Sequence, residues 1–150
     1  MGQEETDPVR THTPQRLTRR LDDERLARIA EFGTAPRERS SRHLSQLDRE
    51  WDVERKLEAN AATLMLVGVA LAATRSKRWL ALAGVVPAFL LQHAIQGWCP
   101  PIAAFRALGS RSRNEIDAER TAIKALRGDF AGLELEPGAA ERALAAAGAR

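Results

Sequence analysis

Between Ala59 and Phe105 this 150-residue chain carries only three charged side chains, Arg75, Lys77 and Arg78, and all three fall in one short stretch. Every other Asp, Glu, Lys and Arg lies before Ala59 or after Phe105. The negative mean hydropathy of the whole chain therefore hides a sparsely charged centre between two charged flanks. A segment of that length with so few charges has two solutions. It is buried in a protein core, or it is immersed in lipid. Aromatic residues make up 5% of the chain and tyrosine is absent, which leaves little material for a large soluble core.

The central charges split the segment into two spans. The first is Ala59 to Thr74, about 24 Å as a helix, short of a hydrocarbon core of about 30 Å. Arg55, Lys56 and Arg75 flank it, and their long side chains can snorkel to polar surroundings. The second span runs from Trp79 to Trp98. Nineteen rises, or about 28 Å, separate these tryptophans, so they suit the two aromatic belts of a bilayer. Neither span is strongly apolar. The first has five Leu, Ile, Phe or Val residues and the second eight, and the second also carries Pro87, Gln92, His93 and Gln96. Insertion as a pair is expected. The loop Arg75-Ser76-Lys77-Arg78 is tight enough to make the spans antiparallel neighbours, with both termini on one side. Cations in the flanks (Arg42, Arg49, Arg55, Lys56, Arg106, Arg111 and Arg113) favour cytoplasmic termini, against three cations in the loop.

The flanks read as helices. Residues 1–13 are expected to be a disordered tail. From Pro14 a helix is expected to Phe32, with Leu17, Leu21, Leu26 and Ile29 as a thin apolar stripe and Gly33 as its stop. No Gly or Pro interrupts Arg37 to Val67, so 37–74 reads as one long helix, an amphipathic approach that becomes the first span. Pro100-Pro101 breaks the second span, a short interfacial helix follows over Ile102 to Leu108, and Gly109 stops it. Asn114 is a candidate N-cap for a helix to Leu126, with Ile116, Ile123 and Leu126 on one stripe and Gly128 closing it. Pro137 opens a short Ala-rich terminal helix. The expected fold is all-α, a two-span transmembrane helical hairpin with amphipathic cytoplasmic helices on both sides.

The net charge is +3, with acids and bases closely interleaved, as in Asp48-Arg49-Glu50-Trp51-Asp52. Such a pattern describes solvated helix faces and not a nucleic-acid footprint, so no nucleic-acid partner is expected. Cys99 is the only cysteine, which excludes an intrachain disulfide and a multi-cysteine zinc site. The opening residues are acidic and polar and predict no secretory leader. Met1-Gly2-Gln3-Glu4-Glu5-Thr6 matches the bare myristoylation pattern, but the acidic setting without a second anchor reads as coincidence.

The most distinctive run is Gly97-Trp98-Cys99-Pro100-Pro101, followed by Leu108-Gly109. With Arg55, Asn60 and Gly84 ahead of it, this pattern resembles the YgaP-like inner-membrane transmembrane domain, a bacterial two-helix module of unknown function. The resemblance covers the middle third to half of the chain. It implies that 59–109 is a YgaP-like transmembrane hairpin; the tail 1–13, a cytoplasmic helical segment 14–58 and a C-terminal helical tail 110–150, read from the residues, lie outside what it explains. It also implies a multi-pass protein of the bacterial inner membrane and a dimerising anchor. The namesake carries a rhodanese domain before the module. This chain has no Cys-containing active-site loop there, so sulfurtransferase activity does not carry over.

Cys99 is the sole candidate thiol. If Pro101 opens a helix, the helix dipole would favour its thiolate, and Cys99 could accept sulfur or sense oxidants. The alternative is a small apolar residue closing a turn. Gln92, Gln96 and Cys99 fall at i, i+4 and i+7, with His93 alongside. They form a polar path for an anion, sulfur species or proton, or a set of interhelical hydrogen bonds. Gly68 with Ala72, and Gly84 with Ala88, are small-xxx-small pairs for close helix approach, within the hairpin or between protomers. Trp79 and Trp98 are the interfacial anchors. No catalytic residue, metal site or cofactor is expected. The partners expected are the lipid bilayer, a second copy and a cytoplasmic protein. Three functions follow from this reading. The first is a self-associating membrane anchor or scaffold without catalytic activity. The others are a small transport or sulfur-handling membrane protein using Cys99, and a soluble helical adaptor.

Overall fold

The computed structural model describes residues 7–133 and 138–148. Among them are eight α-helices and no strand. The helices are α1 (Pro8–Thr11), α2 (Gln15–Gly33), α3 (Arg37–Leu47), α4 (Val53–Thr74), α5 (Leu80–Gln96), α6 (Pro100–Ala107), α7 (Arg113–Leu126) and α8 (Ala139–Ala147). A single 3-10 turn, Lys77–Trp79, precedes α5. The myristoylation pattern and Pro137 lie outside the described residues. The chain forms two compact units, each discontinuous in sequence.

Among the described residues, the first unit comprises 7–21 together with Trp51–Asn114. Its frame is the touching pair α4 and α5. The turn between them is short because Arg75 N and Ser76 N both donate to Leu71 O and the Ser76 hydroxyl accepts from Arg78 N. A hairpin of two long apolar helices is therefore present as expected.

The long helix expected over 37–74 is interrupted. α3 ends at Leu47, and α4 starts afresh at Val53. The signal was an N-cap and not a breaker. The Asp52 carboxylate accepts from Arg55 N at 2.7 Å, while Val53 N donates to Arg111 O at 2.8 Å. Satisfying the first amides of a new helix in this way offsets the loss of a continuous one.

At its lower end the pair rests on a core of Val9, Val53, Leu57, Cys99 and Ile102, with Leu90 and Phe105 packed against it. Residues 7–13, expected without fixed structure, pack onto this core through Val9, with Asp7 and Thr13 buried beside it. Asp7 caps α1 by accepting from Val9 N at 3.0 Å, and it accepts from the Ser112 hydroxyl at 2.5 Å. Thr13 accepts from Arg106 Nε at 3.1 Å, and Arg106 Nη1 donates to Ser110 O at 3.1 Å. A polar layer thus ties the N-terminal turn to the segment after α6. Asn114 is not the N-cap of α7, since the helix already includes Arg113.

Among the described residues, the second unit comprises Asp22–Glu50 with 115–133 and 138–148. Leu44, Leu47, Ile116 and Ile123 form its core, with Ile29 and Phe32 against them. Two residues of the expected stripes, Leu26 and Leu126, face outward. Gly33 sits in the last turn of α2, where a Cβ would lie 2.4 Å from Leu126 Cδ1.

Candidate functional site

Two features set this protein apart chemically. One is the outer surface of the α4–α5 pair. The other is the pattern of buried charge in the second unit.

Helices Val53–Thr74 and Lys77–Gln96 are long and apolar enough to cross a membrane. Only 17% of the apolar window in the first, and none of that in the second, is buried within the protein. Leu66 is 70% exposed, Leu91 61% and Ile95 75%. Leu64, Val67, Val69, Leu80, Val85 and Phe89 also point outward. Leaving these side chains in water forgoes on the order of 10 kcal/mol of apolar transfer free energy. The core helix of a soluble protein has the opposite pattern, with its apolar face turned inward.

The small-residue pairs separate by role. Gly68 is buried inside the pair, where a Cβ would lie 3.0 Å from Ala83 N and 3.2 Å from Trp79 O. Ala72 is half-buried on the same helix. Gly84 has nothing within 4 Å of a built Cβ, and Ala88 is exposed, so this second pair faces away from the hairpin. Of the two expected belt residues, Trp79 is exposed in the 3-10 turn and Trp98 is half-buried beyond the end of α5.

The polar residues late in α5 do not form a stripe with Cys99. Gln92 Nε2 donates to Gln96 Oε1 at 3.4 Å. Helical periodicity then stops at Gly97, whose φ of 68° is left-handed. Cys99 beyond it turns into the core instead of continuing the row. Gly97 is required there twice, because a Cβ would also lie 2.1 Å from Pro8 Cβ. His93 is half-buried beside the two amides.

Cys99 is 1% exposed and precedes Pro100, the first residue of α6. Burial pushes its thiol up from the ordinary value, and the hydrogen bond with the Ile102 backbone only partly opposes this. The helix N-terminus therefore does not yield an activated thiolate here. The thiol borders a partly open, mostly apolar pocket of about 90 Å³ lined by Leu57, Asn60, Val86 and Pro101, with the part-exposed Leu64 and Phe89 at its mouth.

Sequence reasoning missed the second unit's buried charge. Glu119 is fully buried and accepts from Arg28 Nε and Nη2 at 3.0–3.1 Å. His43 Nε2 lies 3.0 Å from Glu119 Oε1, and its ring stacks on Phe32 at 3.8 Å. Arg28 donates bidentately to the carboxylate, so this cluster locks three helices by ion pairing and hydrogen bonding. Its members lie far apart in sequence and sit on faces that look solvated, so no local pattern announces them. Among the described residues, no group of three or more His, Cys, Asp or Glu side chains gathers to hold a metal ion.

No family model, curated protein or solved structure matches the chain.

Proposed function

We propose that this protein is a membrane anchor that inserts through the α4–α5 hairpin and carries its folded helical unit on the cytoplasmic side as a scaffold for a protein partner. The observation behind this reading is the outward-facing apolar surface of both helices, which a bilayer accommodates and water does not. The short turn returns the chain to the side from which it entered, and the flanking cations favour the cytoplasm for that side. Trp79 anchors one interface and Trp98 the other. The open Gly84–Ala88 face is where a second copy packs, since small residues let helix backbones approach in lipid.

The relation to YgaP-like inner-membrane modules belongs to this proposal. It rests on Gly97-Trp98-Cys99-Pro100-Pro101, where the left-handed Gly97, the turn and the Pro-initiated α6 give the motif a structural purpose. The buried Cys99 lends the sulfur-handling alternative no support.

Membranes carrying the expressed protein, washed with alkaline carbonate, test the anchor. Retention in the pellet supports it. Release into the supernatant overturns it in favour of the soluble adaptor.

A further inference from the structure

In the second unit, three cations line one cleft. Arg120, Lys124 and Arg127 occupy positions i, i+4 and i+7 along and just beyond α7, so they share a face. Ser41, Leu44 and Asp48, along and just after α3, form the opposite wall. The space between is an open cleft of about 410 Å³, roomy enough for a small solvated ion.

The donors in the cleft outnumber its fixed acceptors. Arg127 is held by Asp129 and donates to the Ser41 hydroxyl at 2.9 Å. Arg120 Nε lies 3.0 Å from an Asp48 carboxylate oxygen, an ion pair without hydrogen-bond alignment. Lys124 is buried and donates to Ala146 O and Ala147 O at 3.1 and 2.8 Å. Those acceptors are neutral carbonyls, so no carboxylate of the described residues pairs with its ammonium. They are also the electronegative C-terminal end of α8, which shows what the cleft attracts. Burial and the Arg120 charge both hold the Lys124 ammonium below its ordinary value, a cost that a bound anion removes.

We infer that this cleft binds a phosphate-class oxyanion, held by Arg120, Lys124 and Arg127 with the Ser41 hydroxyl. Guanidinium forks and an ammonium converging from one helix face suit an ion that offers three or more oxygens at once, and a carboxylate offers two. The ion is free phosphate or the phosphomonoester headgroup of a lipid.

The test uses the full chain in uncharged detergent micelles. Inorganic phosphate is titrated against sodium chloride of equal ionic strength, with calorimetry and the thermal midpoint as readouts. Saturable heat and a saturable rise in midpoint with phosphate alone are expected. Lys124→Gln and Arg120→Gln should each weaken binding roughly tenfold, the effect of losing one charge-assisted hydrogen bond. Lys124→Arg should retain most of it. Ser41→Ala alters an exposed side chain, cannot unfold the unit and should weaken binding about threefold. A parallel titration with short-chain phosphatidate separates the sources. Binding tighter than phosphate identifies a headgroup, and equal affinity identifies the free ion. Equal responses to phosphate and chloride, or unchanged affinity in Ser41→Ala together with Lys124→Gln, would overturn the inference.

Discussion

Gly68 of α4 lies against the backbone of Ala83 in α5, so close that a Cβ at position 68 would stand 3.0 Å from Ala83 N. The hairpin is therefore held by backbone approach as well as by side chains, and the two small-residue pairs are not equivalent. Gly68→Leu is expected to destabilise the helix pair by about 1–3 kcal/mol, the usual cost of overpacking. Gly84→Leu should leave the isolated hairpin unchanged and weaken self-association. Steric-trap or detergent-denaturation curves for the first, and energy transfer between labelled copies for the second, would separate these effects.

Burial of Cys99 predicts a slow thiol. At pH 7–8 its alkylation by a soluble maleimide should be far slower in the folded chain than in denaturant. Because the folded-state value is raised, the neutral thiol is favoured in the native state. The associated stability is complete below the unfolded value near 8.5 and is lost as pH rises past it. Gly97→Ala, which strains a left-handed residue and collides with Pro8, should accelerate the labelling by freeing the N-terminal turn.

The Glu119 cluster is expected to carry much of the second unit's stability. Glu119→Ala leaves Arg28 and His43 without their acceptor and should cost about 3–5 kcal/mol in urea unfolding followed by circular dichroism. A loss below about 1 kcal/mol would mean that water replaces the carboxylate freely.

Much of this architecture was legible in the sequence, because charge segregation over 59–105 and the tight cationic loop leave few other solutions. The break before Val53 was not. It has no Gly or Pro, and only Asp52 announces it, as a cap among many charged residues. Thr13 and Asp7 looked like tail residues because their partners, Arg106 and Ser112, lie about 100 residues away. For the same reason the Arg28–Glu119–His43 cluster left no trace in spacing. Cys99 was misplaced because a helical repeat was carried through Gly97, where the helix ends.

Asp129 gives the second unit an acid-side dependence. The hydrogen bond from Arg127 holds its carboxyl below the ordinary value, with the Arg127 and Arg37 charges adding to this. A depressed folded-state value supplies stability that is complete above the unfolded value near 3.9 and is lost as pH falls toward the folded one. The thermal midpoint should fall between pH 5 and about 3, and Asp129→Asn should flatten that slope.

The anchor itself is tested most directly by spin labels on a Cys99→Ala background reconstituted in bilayers. Labels replacing Leu66 and Leu91, both turned outward from the hairpin, are compared with one replacing the exposed Leu26. The first two are predicted to collide readily with oxygen and to be shielded from a water-soluble nickel chelate, while the Leu26 label shows the reverse. Chelate access at Leu66 and Leu91 equal to that at Leu26 would contradict a membrane-spanning hairpin.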